Sequence, residues 1–212
     1  MKIFLDFDDL LFDTRAFFDG LQDIFEEFGI PGELFRKSYQ EMKAEFPPEG
    51  WCYSPEMHIE RLRQHSPFDV EGVRKKLEVF MADTEKFLFP DVKEFLAALK
   101  KSGQSIFILS FGDVHFQTAK ISGTGILPYI ERSIIADKDK AESLRGEIGD
   151  SGENSWFFDD RIHFIEGIKR VFPKIRTVCV QRKEGRYHDE PNEFCDYVVK
   201  DLKEAEEILR NL

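Results

Sequence analysis

Residues 2–13, KIFLDFDDLLFD, combine an apolar run with a cluster of aspartates, and this combination decides the fold class. A short run rich in Ile, Leu and Phe is typical of a buried strand, and open α/β sheets bind ligands where such strands end. Because side chains alternate along a strand, Asp6 and Asp8 are expected to emerge on the same side. Two carboxylates placed so near each other are costly unless a proton or a cation lies between them. The stretch therefore predicts a ligand-binding edge of a parallel sheet, with a solvated acidic turn as the alternative.

The rest of the chain alternates short apolar runs with segments of helical periodicity. In residues 90–102, for example, apolar residues recur at helical spacing, after Pro90 and before Gly103. Pro at the start and Gly just past the end are the usual helix boundaries. Strands alternating with helices predict an α/β fold, a Rossmann-like parallel sheet with helices on both faces. The further predicted strands cover residues 105–110, 133–136, 155–158, 176–180 and 196–199.

One long interval, residues 14–87, lacks a convincing strand and carries only helical patterns. The stretch FPPEG, residues 46–50, cannot be helical and divides this interval into two predicted helical hairpins. Ser54 followed by Pro55 indicates the start of a helix. We therefore predict a core domain formed by residues 1–13 and 88–212, and an all-helical cap domain, residues 14–87, inserted after the first strand.

Composition restricts the classes of partner. The 212 residues include 41 acidic and 30 Lys or Arg side chains, for a net charge of −11, which argues against binding a nucleic acid polymer or a membrane surface. A small anionic substrate remains compatible if a local cation supplies positive charge. The 3 cysteines are scattered, and no apolar stretch approaches the ~20 residues that span a bilayer. We expect a reduced, cytoplasmic, soluble protein that is a monomer.

Two other predicted strands end in residues that suit chemistry. Residues 105–110 end in Ser110, and Phe111 and Gly112 follow in a turn whose backbone N–H groups could bind an anion. Residues 155–158 run into Asp159 and Asp160. Each of these residues could instead cap the next helix. Since all of them lie at carboxyl ends of predicted strands, we expect them in one crevice, where carboxylates from two strands suit Mg²⁺.

These motifs occur in an order that resembles the haloacid dehalogenase superfamily of hydrolases. The resemblance rests on DxDxxLxD after an apolar strand, an apolar strand ending in Ser, a downstream Lys, and an apolar strand ending in Asp–Asp. The helical interval after the first motif resembles the helical cap of that superfamily. The likeness covers nearly the whole chain and favours its phosphatase-like branch, since the dehalogenase branch lacks the second motif aspartate, here Asp8.

The resemblance implies a role for each motif residue. Asp6 resembles the nucleophile that forms an aspartyl-phosphate, and Asp8 resembles the general acid/base. Ser110 would bind a phosphoryl oxygen, and the positive charge would come from either Lys138 or Lys140. A Mg²⁺ ion would be held by Asp6, the backbone carbonyl of Asp8, and Asp160, with Asp159 nearby. The implied activity is hydrolysis of a small phosphorylated metabolite, with phosphoryl transfer to a second hydroxyl, or an idle protein that binds a phosphorylated ligand or a protein partner, as the alternatives.

The sequence also departs from the family pattern. Asp9 and Leu10 stand where the family usually has Gly–Thr, and Phe164 stands where an acidic or amide residue is common. In the cap, the side chains that could contact a substrate are Tyr39, Lys43, Trp51, Tyr53 and His58, although aromatic residues in a small helical cap more often form its core. The basic run 182–186 is interpreted as a solvated loop, with a role in binding a partner or a phosphate as the alternative.

Overall fold

The computed structural model describes residues 1–46 and 51–211. None of the helices described is long and apolar enough to cross a membrane. The strands are β1 (Lys2–Leu5), β2 (Ser105–Phe111), β3 (Arg132–Ala136), β4 (Ser155–Asp159), β5 (Arg176–Val180) and β6 (Tyr197–Val199), and they form one parallel sheet in the order β3-β2-β1-β4-β5-β6. The α-helices are α1 (Thr14–Glu27), α2 (Gly32–Ala44), α3 (Pro55–Arg63), α4 (Val70–Ala82), α5 (Val92–Lys101), α6 (Val114–Gly123), α7 (Lys140–Leu144), α8 (Ile162–Val171) and α9 (Leu202–Arg210).

Both faces of the sheet are covered, as the alternating strand and helix patterns predict. Phe4 points to the face covered by α7 and α8, whereas Ile3 and Leu5 point to the face covered by α5 and α9. All three side chains have no exposed surface. This burial on both sides explains why the first strand is apolar at every position from residue 3 to residue 5.

The first strand ends earlier than the apolar run suggests. β1 stops at Leu5, while the Asp6 N–H still donates to the Phe158 carbonyl at 2.9 Å. Leu5 lies opposite Ile108 on one side and Phe158 on the other. Asp6 therefore sits just beyond the carboxyl end of the central strand, between the ends of β2 and β4.

The stretch between β1 and β2 is helical, as predicted. It contains α1 to α4, and the described residues of 14–87 form no strand. Ser54 begins α3 as expected, since its hydroxyl accepts a hydrogen bond from the Met57 N–H at 3.3 Å. Of the predicted divider, residues 46–50, the last four lie outside the described residues. The predicted fold class, a parallel α/β sheet with a helical insertion after the first strand, is confirmed.

Candidate active site

A cavity of about 590 Å³ lies between the carboxyl edge of the sheet and the helical insertion. The sheet contributes its strand ends, and the insertion contributes mainly aromatic side chains. The sequence-predicted residues that line the cavity are Asp6, Asp8, Ser110, Phe111, Gly112, Lys140 and Asp160 from the core, with Tyr39, Lys43, Trp51 and Tyr53 from the insertion.

Lys140 lies between two of the buried aspartates. Its ammonium donates to Asp6 Oδ1 at 2.5 Å and to Asp159 Oδ2 at 2.6 Å, and its side chain is only 1% exposed. Burial raises the pKa of Asp6 to about 7, an effect that Lys140 opposes and the Asp159 carboxylate increases. Burial also acts to lower the pKa of Lys140, but Asp159 and Asp6 together raise it above its usual value.

Only one of the two lysine candidates reaches this cluster. Lys138 is exposed, one residue before Asp139. Asp139 begins α7, and its carboxylate accepts a hydrogen bond from the Ala141 N–H at 2.7 Å. Helix formation at this point turns the Lys140 side chain inward, toward the strand ends, so the structure places Lys140 and not Lys138 at the cavity.

The two aspartates after β4 differ in their surroundings. Both oxygens of Asp159 are occupied, Oδ2 by Lys140 and Oδ1 by the Arg161 N–H at 2.8 Å. Asp160 lines the cavity, and its buried Oδ2 has no hydrogen-bond partner within the described residues. Burial, and next the Asp159 and Asp6 charges, raise the pKa of Asp160 well above its usual value.

The three carboxylates fit a divalent cation. Asp6, Asp159 and Asp160 can each offer an oxygen, and these atoms lie within 4.8 Å of one another. One ammonium does not balance three carboxylates, and the unpartnered Asp160 oxygen faces the same cavity. Hard oxygen donors at this density are the ligands that Mg²⁺ and Ca²⁺ prefer.

Asp8 is held by three donors. Its Oδ1 accepts from Thr14 Oγ1 at 2.7 Å and from Lys120 Nζ at 2.5 Å, and its Oδ2 accepts from Gln117 Nε2 at 2.7 Å. Burial by itself would raise the pKa of Asp8, but the charges of Lys120 and Arg186 outweigh it and lower that pKa to about 2. Asp8 is therefore a fixed, ionised carboxylate in this arrangement.

Lys120 is an unexpected partner for Asp8. Its side chain is 2% exposed, and burial lowers its pKa although Asp8 opposes the change. Rings within 5.1–5.4 Å of its ammonium surround it on several sides, and they belong to Phe7, Phe12, Phe17 and Phe116. We refer to these four rings as the phenylalanine cage.

The end of β2 provides a free hydroxyl but fewer free backbone N–H groups than expected. Ser110 is 1% exposed, and its Oγ has no hydrogen-bond partner in the described part of the chain. It does not cap the next helix, because Asp113 accepts from the Phe116 N–H at 2.8 Å in that role. The Gly112 N–H donates to the Ala136 carbonyl at 3.0 Å, so the expectation that it would be free for an anion is wrong.

The basic run after β5 is not a solvated loop. Arg182 is 5% exposed and pairs with Asp91 at 2.8 Å, and Arg186 lines the cavity and donates to Asp9 Oδ2 at 2.7 Å. The expectation fails because β5 ends at the same sheet edge as β4. Residues just past its end therefore fold over the cavity. Applying the strand-end argument to this strand as well would have identified Arg186.

His58, in contrast, does not contact the cavity. It has no exposed surface, and its ring nitrogens lie 2.6 Å from Ser38 Oγ and 3.0 Å from Tyr53 Oη. Its role is to fill the interior of the helical insertion.

Comparison with protein families gives one match. Residues 3–171 match the model of the haloacid dehalogenase-like hydrolases. The chain belongs to this family. No curated protein sequence matches it.

Solved structures with the same fold have low sequence identity to this haloacid dehalogenase-like hydrolase. A haloacid dehalogenase-like hydrolase from Burkholderia xenovorans LB400 is 21% identical with a TM-score of 0.76, over 99% of this chain and 96% of that one. A phosphatase of the family from Thermococcus onnurineus is 19% identical, with a TM-score of 0.66, over 99% of this chain and 98% of that one. The L-2-haloacid dehalogenase of Xanthobacter autotrophicus, with chloropropionic acid covalently bound, is 16% identical, with a TM-score of 0.68 over 100% and 98%. At these identities the likeness establishes the fold alone.

The departures from the family pattern have visible consequences. Asp9, where the family usually has Gly, adopts a left-handed backbone with φ of 58°. Leu10, in place of the usual Thr, is fully buried, and the hydroxyl next to Asp8 comes from Thr14. Phe164 places its ring centroid 4.2 Å from the Lys140 ammonium, a cation–π contact where an acidic or amide residue is common.

Proposed function

We propose that this haloacid dehalogenase-like hydrolase is a Mg²⁺-dependent phosphatase that hydrolyses a small phosphate monoester through a phosphorylated Asp6. The observation that carries the proposal is the Asp8 carboxylate at the cavity, two residues after Asp6. An acid/base group beside the nucleophile is useful when the leaving atom is an oxygen that needs a proton. Cleavage of a carbon–halogen bond releases a halide, which needs none.

Asp6 is suited to act as the nucleophile. Lys140 binds its Oδ1, whereas Oδ2 accepts no side-chain hydrogen bond within the described residues and belongs to a residue that lines the cavity. Because Asp8 is ionised in the free site, it must take up a proton when the substrate binds. Oδ2 of Asp6 then attacks phosphorus, the bond from phosphorus to the ester oxygen breaks, and the leaving oxygen takes that proton from Asp8. A water molecule then loses a proton to Asp8 and attacks the phosphorus, which releases phosphate and restores Asp6.

The remaining residues stabilise the phosphoryl group. The unpartnered hydroxyl of Ser110 is suited to donate to a phosphoryl oxygen, and Lys140 supplies positive charge beside the reacting atoms. Asp6 and Asp160, with the Asp8 carbonyl, would hold the Mg²⁺, while Asp159 orients Lys140. When bound, the ion neutralises phosphoryl charge and keeps the Asp6 carboxyl ionised. Residues 14–87 act in this proposal as a cap domain that closes over the substrate.

Phosphate release from a panel of small phosphate esters tests the proposal. The protein is assayed with Mg²⁺ and then with EDTA, beside the Asp6→Asn variant. We expect metal-dependent release that prefers one class of ester, and a loss of at least about 10³-fold in Asp6→Asn with the fold kept. A parallel assay follows chloride release from 2-chloropropionate. Chloride release without phosphate release, or full activity in Asp6→Asn, would contradict the proposal.

A further inference from the structure

The loop between β5 and β6, residues 181–196, is fixed over the cavity at both ends. Near its start, Arg182 donates to the Leu10 carbonyl at 2.7 Å and pairs with the buried Asp91. Farther along, Asp189 accepts from Arg161 Nε at 3.1 Å and from the Ile162 N–H at 3.2 Å, which ties the loop to the start of α8. The segment between these two anchors therefore has a defined position at the sheet edge.

Arg186 lies between the anchors and turns into the cavity. Its Nε donates to Asp9 Oδ2 at 2.7 Å, and its side chain is 31% exposed. This is the only hydrogen bond that the side chain makes within the described residues, and a guanidinium has five N–H donors. Most of the donors of Arg186 therefore remain free for a ligand in the cavity.

The strained backbone and buried carboxylate of Asp9 indicate that holding Arg186 in place offsets their cost. A left-handed backbone costs a residue other than glycine about 1 kcal/mol or more. Asp9 combines that conformation with a side chain that is only 1% exposed. Glycine would remove both costs but would leave Arg186 without its partner. The carboxylate of Asp9 thus holds the guanidinium at the cavity wall.

The other two buried cations of the site are already occupied. Lys140 is bound by Asp6 and Asp159, and Lys120 by Asp8. Arg186, in contrast, is partly exposed, and only its Nε is occupied, by Asp9. Arg186 is held by Asp9, which follows Asp8 in the chain, and all three residues line the cavity, so Arg186 lies on the side of the site where Asp8 would protonate the leaving oxygen.

We propose that Arg186 forms a binding subsite for a second oxyanion, a carboxylate or a phosphate, carried by the leaving-group half of the substrate. The free edge of the guanidinium binds this group through two parallel N–H···O bonds, while Asp9 keeps Nε in place. The subsite belongs to the core, not to the helical insertion. The inference rests on the proposed function for the direction in which the ester is bound.

Binding to the Asp6→Asn variant with Mg²⁺, which separates affinity from turnover, tests the subsite. Calorimetry compares 3-phosphoglycerate with glycerol 3-phosphate, which replaces the carboxylate by a neutral group, and fructose 1,6-bisphosphate with fructose 6-phosphate. We expect the more anionic member of at least one pair to bind about 10-fold tighter or better. Adding Arg186→Gln should raise the Kd of the more anionic ligand by about 10- to 100-fold. The Kd of the other member of the pair should change less than about threefold.

Lys183→Gln is the matched control, because it removes the same charge from an exposed position three residues away and should leave every Kd within about twofold. Arg186→Lys keeps the charge but not the planar edge, so it should cause an intermediate loss confined to the anionic ligand. It also provides the test if Arg186→Gln fails to fold.

The outcomes separate this inference from the proposed function. The inference would be overturned if Arg186→Gln reduced the affinity for both members of a pair equally, or if neither pair showed a preference for the more anionic member. Either result would mean that Arg186 is only the structural partner of Asp9. Absence of phosphate release from the unmodified protein would overturn the phosphatase proposal. An Arg186-dependent preference in the binding assay would still support the subsite in that case.

Discussion

The site contains two buried lysines at different positions, which we call the Lys140 end and the Lys120 end, and the two lysines differ in the carboxylates that they contact. Lys140 faces the carboxylates of Asp6 and Asp159, with Asp160 unpartnered nearby. Lys120 faces one carboxylate, that of Asp8. The Lys140 end is therefore short of positive charge and suited to recruit a cation. The Lys120 end is a balanced ion pair and suited to hold one side chain still.

The two ends also depend on different parts of the molecule. The aromatic rings near Lys140 belong to Phe157 and Phe164, both in the core. The phenylalanine cage around Lys120 includes Phe17, which lies on α1 of the insertion. The position of Asp8 is thus coupled to the packing of the insertion, whereas the position of Asp6 is set by the sheet.

Replacing Lys140 should have the largest effect. Lys140→Met removes the cation beside Asp6, the proposed nucleophile, and we expect kcat for phosphate release to fall by about 10²- to 10³-fold. Lys138→Met is the matched control, since that lysine is exposed, and it should keep kcat within about twofold. Steady-state kinetics at saturating Mg²⁺ makes the comparison. A comparable loss in Lys138→Met would remove the distinction between the two lysines.

Replacing Lys120 should act on Asp8 and on stability. In Lys120→Met we expect kcat/KM at pH 7 to fall about 10-fold. Without the ammonium, burial raises the pKa of Asp8 from about 2, so the acid limb of the kcat profile, where a protonated Asp8 can no longer accept a proton from water, moves to higher pH. Breaking the buried pair should also lower the free energy of unfolding by about 3 kcal/mol. A pH–rate profile and urea denaturation measure these effects.

The stability contribution of this pair has a defined pH window. The pKa of Asp8 is lower in the folded protein than its usual value of 3.8, so the pair stabilises the fold above about pH 4. The contribution is lost as the pH falls toward 2. Lys120→Arg, which keeps the charge, should keep the acid limb in place. An unshifted limb in Lys120→Met would show that Lys120 only fills the cage.

Replacing Asp9 should have the smallest effect on stability. Asp9→Gly relieves a left-handed backbone, worth about 1 kcal/mol, and loses an ion pair with a partly exposed arginine, worth about as much. We expect the free energy of unfolding to change by less than about 1 kcal/mol. Asp9→Ala loses the pair but keeps the strain, so it should be less stable than Asp9→Gly by about 1 kcal/mol. Equal stabilities of the two variants in urea would contradict this account.

The sequence was enough to predict the fold and the aspartates and serine at the Lys140 end of the site, but not the lysine itself. Short apolar runs ending in polar residues located β1, β2 and β4, and the carboxyl-edge argument brought Asp6, Ser110 and Asp160 to one cavity. That argument uses only periodicity and strand polarity, which a single sequence contains. The choice between Lys138 and Lys140 needed the direction of α7, which depends on where the helix begins.

The Lys120 end could not be predicted in the same way. A lysine in a helix is usually exposed, and nothing local to α6 shows that Lys120 is buried against three rings from the distant residues 7–17. The available signal was weak. Gln117 and Lys120, three residues apart, share the face of α6 that also buries Ile121. Whether such a lysine is buried depends on packing between residues that are far apart in the chain, and neither composition nor local spacing reveals that packing.

The strand order also sets the sequence in which the molecule is built during synthesis. β1 is at the centre of the sheet, yet its neighbours begin only at Ser105 and Ser155. At roughly 5–20 residues per second, on the order of ten seconds pass between translation of β1 and of its second neighbour. The helices α1 to α3 pack on one another in chain order, so they emerge in that interval and can form early. These helices can therefore form before β1 has both of its neighbours, and the Lys140 end of the cavity is completed only after β4, which ends in Asp159, has been translated.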